Sequence, residues 1–120
     1  MKYLCLVYVV PAEMAALSAT DSERVRVESI EYDAALRERG MLIASGPLKS
    51  VETATTVRSR GGKVVMVDGP YAESKEVLGG FLCIDVDSRD AALDIAAKLP
   101  MARFGSIEVR ELRDVDDCCS

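Results

Sequence analysis

Histidine and tryptophan are absent from this chain of 120 residues, and aromatic side chains make up only 5% of it. The lack of histidine removes the commonest metal ligand and the commonest general base. Two of the four cysteines, Cys5 and Cys83, lie in apolar strand patterns, and Cys118 and Cys119 are adjacent near the end. That arrangement is typical neither of a zinc site nor of a disulfide framework. We therefore expect no metal and no bound cofactor.

Long hydrophobic runs are also absent, since no stretch approaches the roughly 20 apolar residues that cross a bilayer. The apolar N-terminus is short and alternating, which predicts a strand rather than a signal peptide. The net charge is -5 and the basic residues are scattered rather than striped, which excludes a basic nucleic-acid surface. We expect a soluble, cytoplasmic protein without membrane or nucleic-acid contacts, whose partners are small molecules or proteins.

The 49% hydrophobic content is enough for one domain with a real core. We place that domain at residues 1–113 and expect residues 114–120 to be a loose acidic tail. Alternation and turn residues predict strands at 2–10, 41–45, 53–60, 63–67, 81–87 and 105–113. A short helical turn is predicted over 11–17. Gly61 and Gly62 predict a tight hairpin, because both central positions of a type I′ turn need positive φ.

Two longer helices are predicted. Thr20 and Glu23 form a capping box that starts the first near residue 21, and Gly40 ends it. Its buried stripe is predicted at Val27, Ile30 and Ala34. The second helix is capped by Ser88, and its apolar stripe comprises Ala92, Ile95, Ala96 and Leu99.

The element order is strand, helix, strand, hairpin, strand, helix, strand, which predicts an α+β fold of the ferredoxin-like split βαβ type with an inserted β-hairpin. Right-handed crossovers place both helices on one face of the sheet. The strands at 3–10 and 81–86 nevertheless carry apolar side chains on both faces. Because a soluble monomer does not leave such a face bare, we expect a homodimer packed sheet to sheet, as in a dimeric α/β barrel.

One segment, residues 68–76, gathers charged side chains between two apolar strands. Asp68, Glu73 and Lys75 are candidate catalytic residues, because carboxylates near an ammonium can hold different protonation states. The alternative interpretation is structural: Asp68-Gly69-Pro70 also makes a turn and a helix start, with Gly79 and Gly80 closing a short turn of helix.

Tyr8, Tyr71 and Arg103 can add hydrogen-bond donors, and together with Gly69 and Pro70 they are the candidate ligand-binding residues. Arg103 is suited to grip a carboxylate or phosphate through its planar fork. Its alternative role is an ion pair with Glu108.

The segment also carries a family resemblance. Asp68-Gly69-Pro70-Tyr71, Glu73, Lys75-Glu76 and Gly79-Gly80-Phe81 resemble the signature of the DGPF group within the YCII-related family, with Tyr71 where phenylalanine is usual. Further similar stretches lie at residues 3–8, 53–58 and 102–110. The resemblance implies a dimeric ferredoxin-like fold and a family without an established activity. Enzymes have been proposed in the wider family from a histidine and an aspartate in the cleft, which does not carry over to a chain without histidine.

Members of the DGPF group are often encoded beside, or fused to, extracytoplasmic-function sigma factors. The resemblance therefore implies a regulatory connection and a possible sigma factor partner. We expect a ligand-binding or regulatory homodimer with a pocket between helices and sheet, closed by residues 68–76. The alternative is a cofactor-independent enzyme of the isomerase or oxygenase type, acting on a small molecule near Asp68. Under the enzyme hypothesis, Asp68 is the general base, and Arg103 or Lys75 binds an anionic group of the substrate.

Overall fold

The computed structural model describes residues 1–115, so Cys118, Cys119 and most of the predicted tail lie outside the described residues. Short 3₁₀ turns occur at Val51–Thr53 and Pro100–Arg103. The strands and helices follow in chain order: β1 Lys2–Val9, α1 Pro11–Ala15, α2 Ala19–Glu38, β2 Leu42–Pro47, β3 Thr55–Arg60, β4 Lys63–Asp68, β5 Val77–Asp85, α3 Arg89–Ala97 and β6 Ser106–Glu111.

Four of the strands form one antiparallel sheet in the order β2-β5-β1-β6. The connection from β1 through α2 to β2 steps over β5, and the connection from β5 through α3 to β6 steps over β1. These two interlocked crossovers are the split βαβ arrangement, so the predicted ferredoxin-like α+β fold is confirmed. β3 and β4 form a separate two-stranded sheet between the two halves.

The core lies between the sheet and the two long helices. Its strand side chains are Tyr3, Cys5 and Val7 of β1 with Leu82 and Ile84 of β5. From α3 and the turn after it, the predicted stripe is confirmed, since all four of its members are buried: Ala92, Ile95, Ala96 and Leu99. Ser88 caps this helix as predicted, its hydroxyl accepting from the Ala91 N–H at 3.1 Å.

For α2 the predicted stripe and cap were wrong. The hydroxyl of Ser18, not Thr20, caps the helix by accepting from the Asp21 N–H. Val25 and Leu36 are buried, whereas Val27 and Ile30 are 38% and 56% exposed. A single apolar face could not be picked out by pattern because aliphatic residues lie on two sides of this helix. Its end is as predicted, since Gly40 has φ 73° and the Met41 N–H donates to the Leu36 carbonyl.

Among residues 1–115, no helix covers the opposite face of the sheet. The register places Leu4, Leu6 and Tyr8 of β1 there, next to Phe81 and Cys83 of β5. All five are half-buried rather than buried. The apolar character predicted for both faces of these central strands is therefore present in the structure.

The β3–β4 hairpin, residues 55–68, projects from the domain and is called the arm below. Gly61 and Gly62 have φ of 56° and 79°, which confirms the predicted turn. Every residue of the arm except Thr56 is exposed. The radius of gyration is 16.4 Å, whereas a compact domain of this length has about 14 Å. The arm contributes no residue to the hydrophobic core between the sheet and the two long helices.

Residues 69–76 form no helix, so the helix predicted there is wrong. β5 begins at Val77 and includes both Gly79 and Gly80, beside an irregular step between Val7 and Tyr8 of β1. A Cβ on Gly80 would lie 3.1 Å from the Gly46 carbonyl oxygen. These glycines therefore permit close strand approach rather than a helix end. Among the described residues, every helix is too short or too polar to cross a membrane.

Candidate functional site

A groove of about 690 Å³ lies on the helical face of the sheet. It runs between α2, the ends of β1 and β2, the start of β5 and the Pro100–Arg103 turn. α2 contacts the core through Leu36 and the partly buried Tyr32, and the groove lies beside this contact. The predicted pocket between helices and sheet is therefore present.

The walls of the groove are mainly aliphatic. Its apolar lining includes Val7, Val9, Met14, Ile30, Leu48, Val51, Val77, Leu99 and Met101. Ile30 and Leu48 are 56% and 47% exposed. Large apolar side chains left open to solvent on both sides of a concave surface are typical of a site that receives an apolar ligand.

One polar pair joins two walls of the groove. Ser45 of β2 donates its hydroxyl hydrogen to Asp33 Oδ2 of α2 at 2.9 Å. Both residues are half-buried and both line the groove. The carboxylate retains a second oxygen, and the serine hydroxyl retains acceptor capacity. This pair can therefore accept a hydrogen bond from a ligand in a groove whose walls are mainly apolar.

Two cations line the groove, Arg26 and the exposed Lys49, and the first already has a partner. Arg26 donates to both carboxylate oxygens of Glu23, at 2.9 Å and 2.6 Å, and both side chains are largely exposed. An exposed pair of this kind contributes at most about 1 kcal/mol to stability. Arg26 is thus available to an anionic ligand only at the cost of this ion pair.

The three predicted catalytic residues lie outside the groove. Asp68 ends β4 opposite Thr55, and Glu73 and Lys75 follow in the loop. All three are exposed, and within residues 1–115 none of them forms an ion pair. The groove lining includes no residue between Glu52 and Val77, so residues 68–76 do not close it.

Tyr8 and Arg103 are also apart from that loop. Tyr8 lies on the open face of the sheet, between Leu78 and Ser106. Arg103 donates to Glu28 Oε2 of α2 at 2.6 Å. The pairing of Arg103 with Glu108 considered from the sequence is thus not the one observed. Arg103 joins the last turn before β6 to the first half of α2.

The remaining predicted ligand-binding residues lie beside the arm. Pro70 and Tyr71 line a shallow cavity of about 380 Å³ together with Thr56, Arg58, Arg60, Val65 and Val67. The Arg58 guanidinium carbon lies 5.7 Å from the centre of the Tyr71 ring. Gly69 lies at the entrance to this loop with φ 112°, a conformation that favours glycine.

Burial also decides which ionisable groups are chemically available. It raises the pKa of the Cys5 thiol to about 11, with a smaller contribution from Cys83. A thiol of that pKa is not a nucleophile at neutral pH, which fits a packing role. Burial likewise raises the pKa of Tyr32, whose hydroxyl donates to the Ile95 carbonyl at 2.9 Å. Among residues 1–115 no three cysteine or carboxylate side chains are grouped to hold a metal ion.

Sequence reasoning missed the residues that form the groove, above all Asp33, Ser45 and Ile30. Asp33 and Ser45 carry no motif and lie 12 positions apart. The sequence does contain one signal for the groove, because α2 has more aliphatic residues than one buried face can hold. A helix whose apolar residues exceed one buried stripe must expose the rest or offer them to a ligand.

Comparisons with known proteins agree with the fold and the resemblance. Residues 1–116 match the YCII-related domain. An uncharacterised protein of Rhizobium meliloti (strain 1021) is 38% identical over 114 residues, which cover 93% of this chain and 92% of the relative. Among solved structures, 5-chloro-2-hydroxyhydroquinone dehydrochlorinase from Burkholderia phenoliruptrix AC1100, in complex with 2,5-dihydroxybenzoquinone, is similar with a TM-score of 0.56. It is 15% identical, and the match covers 94% of each chain.

Proposed function

The chain belongs to the YCII-related domain family, and we propose that it binds a small, mainly apolar molecule in the groove between α2 and the sheet. The observation that carries this proposal is a groove of about 690 Å³, lined mainly by aliphatic side chains, with one hydrogen-bonding pair in its wall. Ligand sites typically have volumes of about 300–1,000 Å³ and combine apolar walls with a few placed polar groups.

The polar pair defines the ligand chemistry. Asp33 and Ser45 satisfy each other through one hydrogen bond and leave acceptor sites toward the groove. A ligand hydroxyl can donate to the free carboxylate oxygen, and such a bond to a charged group contributes about 1.5–3 kcal/mol. A ligand carboxylate at the same place would be repelled by Asp33. The proposed ligand is therefore an apolar or ring compound that carries a hydroxyl group.

The proposal is tested by blocking the groove. Ser29 of α2 is half-buried and lines the groove, whereas Ser22 lies on the same helix, is exposed and is not part of the lining. Ser29→Phe fills part of the groove, and Ser22→Phe is the matched control. Both variants and the wild type are screened by thermal shift against a metabolite library rich in hydroxylated ring compounds.

A compound present at ten times its dissociation constant adds about 1.4 kcal/mol, which raises the Tm of a domain of this size by roughly 4–6 °C. We expect such shifts in the wild type and in Ser22→Phe, and their loss in Ser29→Phe. A stabilising compound whose effect is the same in all three proteins would contradict binding in the groove.

We also propose that two copies assemble through the open face of the sheet. Leu4, Leu6, Tyr8 and Phe81 form a contiguous apolar surface there without a covering element among residues 1–115. Covering it with the same surface of a second copy would remove these side chains from water. Light scattering after gel filtration should give about 26 kDa, twice the 13.0 kDa of one chain. A single species of chain mass at micromolar concentration would contradict the dimer.

We further propose that ligand binding regulates the interaction of this protein with a partner. The family resemblance implies that the partner is an extracytoplasmic-function sigma factor. Occupation of the groove would change the affinity for that partner. The test measures sigma factor binding by the wild type and by Ser29→Phe, with and without a compound found in the screen. Equal binding in all four samples would contradict ligand control.

An enzyme is the second candidate, and Asp33 is the observation that favours it. This carboxylate is the one hydrogen-bonded acid in the described groove lining, and a carboxylate within reach of a ligand hydroxyl can act as a general base. The likeness to the dehydrochlorinase concerns the fold alone, so Asp33 carries this candidate. Mass spectrometry of a bound compound after incubation separates the two: turnover that Asp33→Asn abolishes indicates an enzyme, and an unchanged compound indicates a binding protein.

A further inference from the structure

We propose a second binding site, on the arm, for a small anion that carries a planar ring. It is independent of the groove, because the two cavities share no residue among those described. It is built from the outer half of β3, the facing half of β4 and the loop that follows β4.

The strand register gathers positive charge on one face of the arm. Arg58 pairs with Val65, and Arg60 pairs with Lys63. Side chains of paired residues point to the same side, and those two positions apart in a strand share that side. Arg58, Arg60 and Lys63 therefore lie on one face, with roughly 7 Å between the two arginine positions. Like charges directly opposite each other in a hairpin are unfavourable, which an anion between them would relieve.

The positive charges of this face have no ion-pair partner in the described part of the chain. Within residues 1–115, none of Arg58, Arg60 and Lys63 takes part in an ion pair. Asp68, the nearest carboxylate along the arm, pairs with Thr55 and so lies on the opposite side of the hairpin. This concentration of unpaired cations occurs in a chain of net charge -5. An anionic ligand is the chemistry that complements it.

The loop after β4 supplies the ring-binding wall. The Gly69 N–H donates to the Ala54 carbonyl at 2.7 Å, and the Thr56 hydroxyl donates to the Gly69 carbonyl at 3.0 Å. These bonds hold the loop against the start of β3. The Tyr71 ring is thereby placed 5.7 Å from the Arg58 guanidinium while remaining 81% exposed.

Together these parts define the class of ligand. The valines at 65 and 67 form an apolar floor, and Tyr71 offers an open ring face. The arginines offer guanidinium donors suited to phosphate or carboxylate, although Arg60 Nη1 donates to the Ser59 carbonyl at 3.1 Å. Aromatic rings stack on tyrosine and guanidinium planes in a water-exposed site. The matching ligand is an aromatic carboxylate or an aryl or nucleoside phosphate of a size that fits about 380 Å³.

The test is a titration followed by NMR on ¹⁵N-labelled protein, read at the arginine Nε–H signals and the backbone amides of the arm. The probes are phenyl phosphate and inorganic phosphate. We expect phenyl phosphate to saturate these signals with a dissociation constant at least tenfold below that of phosphate. Shifts that do not saturate, or that occur away from the arm, would overturn the proposal.

Two variants and a matched control separate the contributions. Arg58→Gln combined with Arg60→Gln should weaken phenyl phosphate binding at least tenfold, whereas Arg37→Gln combined with Arg113→Gln, the same charge change at exposed positions elsewhere, should change it less than twofold. Tyr71→Leu should reduce phenyl phosphate to the affinity of inorganic phosphate. Equal effects of the two double variants would overturn the charge argument, and full affinity in Tyr71→Leu would overturn the ring argument.

The natural source of the anion is distinguished by two further probes, benzoate and adenosine monophosphate. Tighter binding of benzoate points to aromatic carboxylates, and tighter binding of the nucleotide points to phosphates. Binding of both no stronger than that of inorganic phosphate would contradict a ring-specific site. Because all readings are taken on the arm, failure here leaves the groove proposal standing, and the reverse also holds.

Discussion

Leu36→Ala and Ile30→Ala should have very different effects on stability, although each truncates a large aliphatic side chain of α2. Leu36 is 1% exposed and belongs to the core between helix and sheet. Truncation of such a side chain removes its transfer free energy and leaves a cavity, which together cost about 2–5 kcal/mol. We expect about 3 kcal/mol for Leu36→Ala.

Ile30 is 56% exposed, so truncation loses less than half of the roughly 2 kcal/mol that full burial contributes. Alanine also has the higher helix propensity, by about 0.4 kcal/mol. The net cost of Ile30→Ala should be about 0.5 kcal/mol. The pattern of the sequence predicts the reverse, because it places Ile30 in the buried stripe.

Urea unfolding measures both variants. With a slope of about 1.5 kcal/mol per molar for a domain of this size, Leu36→Ala should lower the midpoint by about 2 M and Ile30→Ala by less than about 0.5 M. Leu112→Ala, at a position 44% exposed, controls for the effect of truncating any leucine. Equal midpoints for the two helix variants would refute the orientation of α2 and, with it, the existence of the groove.

Three further results are expected. Gly105→Ala should destabilise the fold by at least about 1–3 kcal/mol in urea unfolding, because its Cβ would overlap the Tyr8 carbonyl oxygen across the β1–β6 pair; wild-type stability would show that β6 enters the sheet differently. Tyr32→Phe should cost about 1 kcal/mol through loss of the hydrogen bond to the Ile95 carbonyl, and an unchanged midpoint would argue against that contact. Burial raises the pKa of the Cys5 thiol to about 11 from the ordinary value of 9.0. The contribution of this thiol to stability should therefore be constant below pH 9 and fall by roughly 2 kcal/mol toward pH 11 as the unfolded thiol ionises. Urea unfolding at both pH values should show this fall, and Cys5→Ala should reduce it.

Much of the fold follows from local signals in the sequence. The order of strands and helices, the Gly61–Gly62 turn and the Ser88 cap each depend on a few neighbouring residues, and the structure has all of them. The buried face of α3 can be predicted from its sequence because its apolar residues lie on one side of the helix only. Local chemistry and tertiary packing agree at these positions, which is the condition under which pattern reasoning succeeds.

Other features depended on contacts that no local pattern records. α2 carries aliphatic residues on two sides, and the choice of Leu36 over Ile30 is made by the fit of the helix on the sheet. Gly79 and Gly80 look like a helix end in sequence but lie in β5, where strands approach too closely for side chains. In both cases tertiary contact overrides propensity.

The sequence predicts the general location of the candidate site but not the residues that form it. A pocket between helices and sheet follows from the fold, but its polar pair joins Asp33 and Ser45 from separate elements without a shared motif. The conspicuous segment around Asp68 drew attention because its charges are adjacent in sequence. In the structure those charges face solvent at the base of the arm, and Tyr71 lines a cavity with the two arginines of β3. The placement of Asp68, Glu73 and Lys75 outside the groove leaves their chemical role a prediction.

A methyl NMR titration observes ligand binding at the side chains that line the groove. Phenol and toluene differ by a hydroxyl in place of a methyl group, so they separate the apolar walls from the Asp33–Ser45 pair. Both probes should give saturating shifts at the methyl groups of Ile30, Leu48 and Val51. Phenol should bind more tightly than toluene, and Ser45→Ala combined with Asp33→Asn should remove that difference. Unchanged chemical shifts at the groove methyl groups, with changes confined to Leu4 and Leu6 on the open face of the sheet, would contradict binding in the groove.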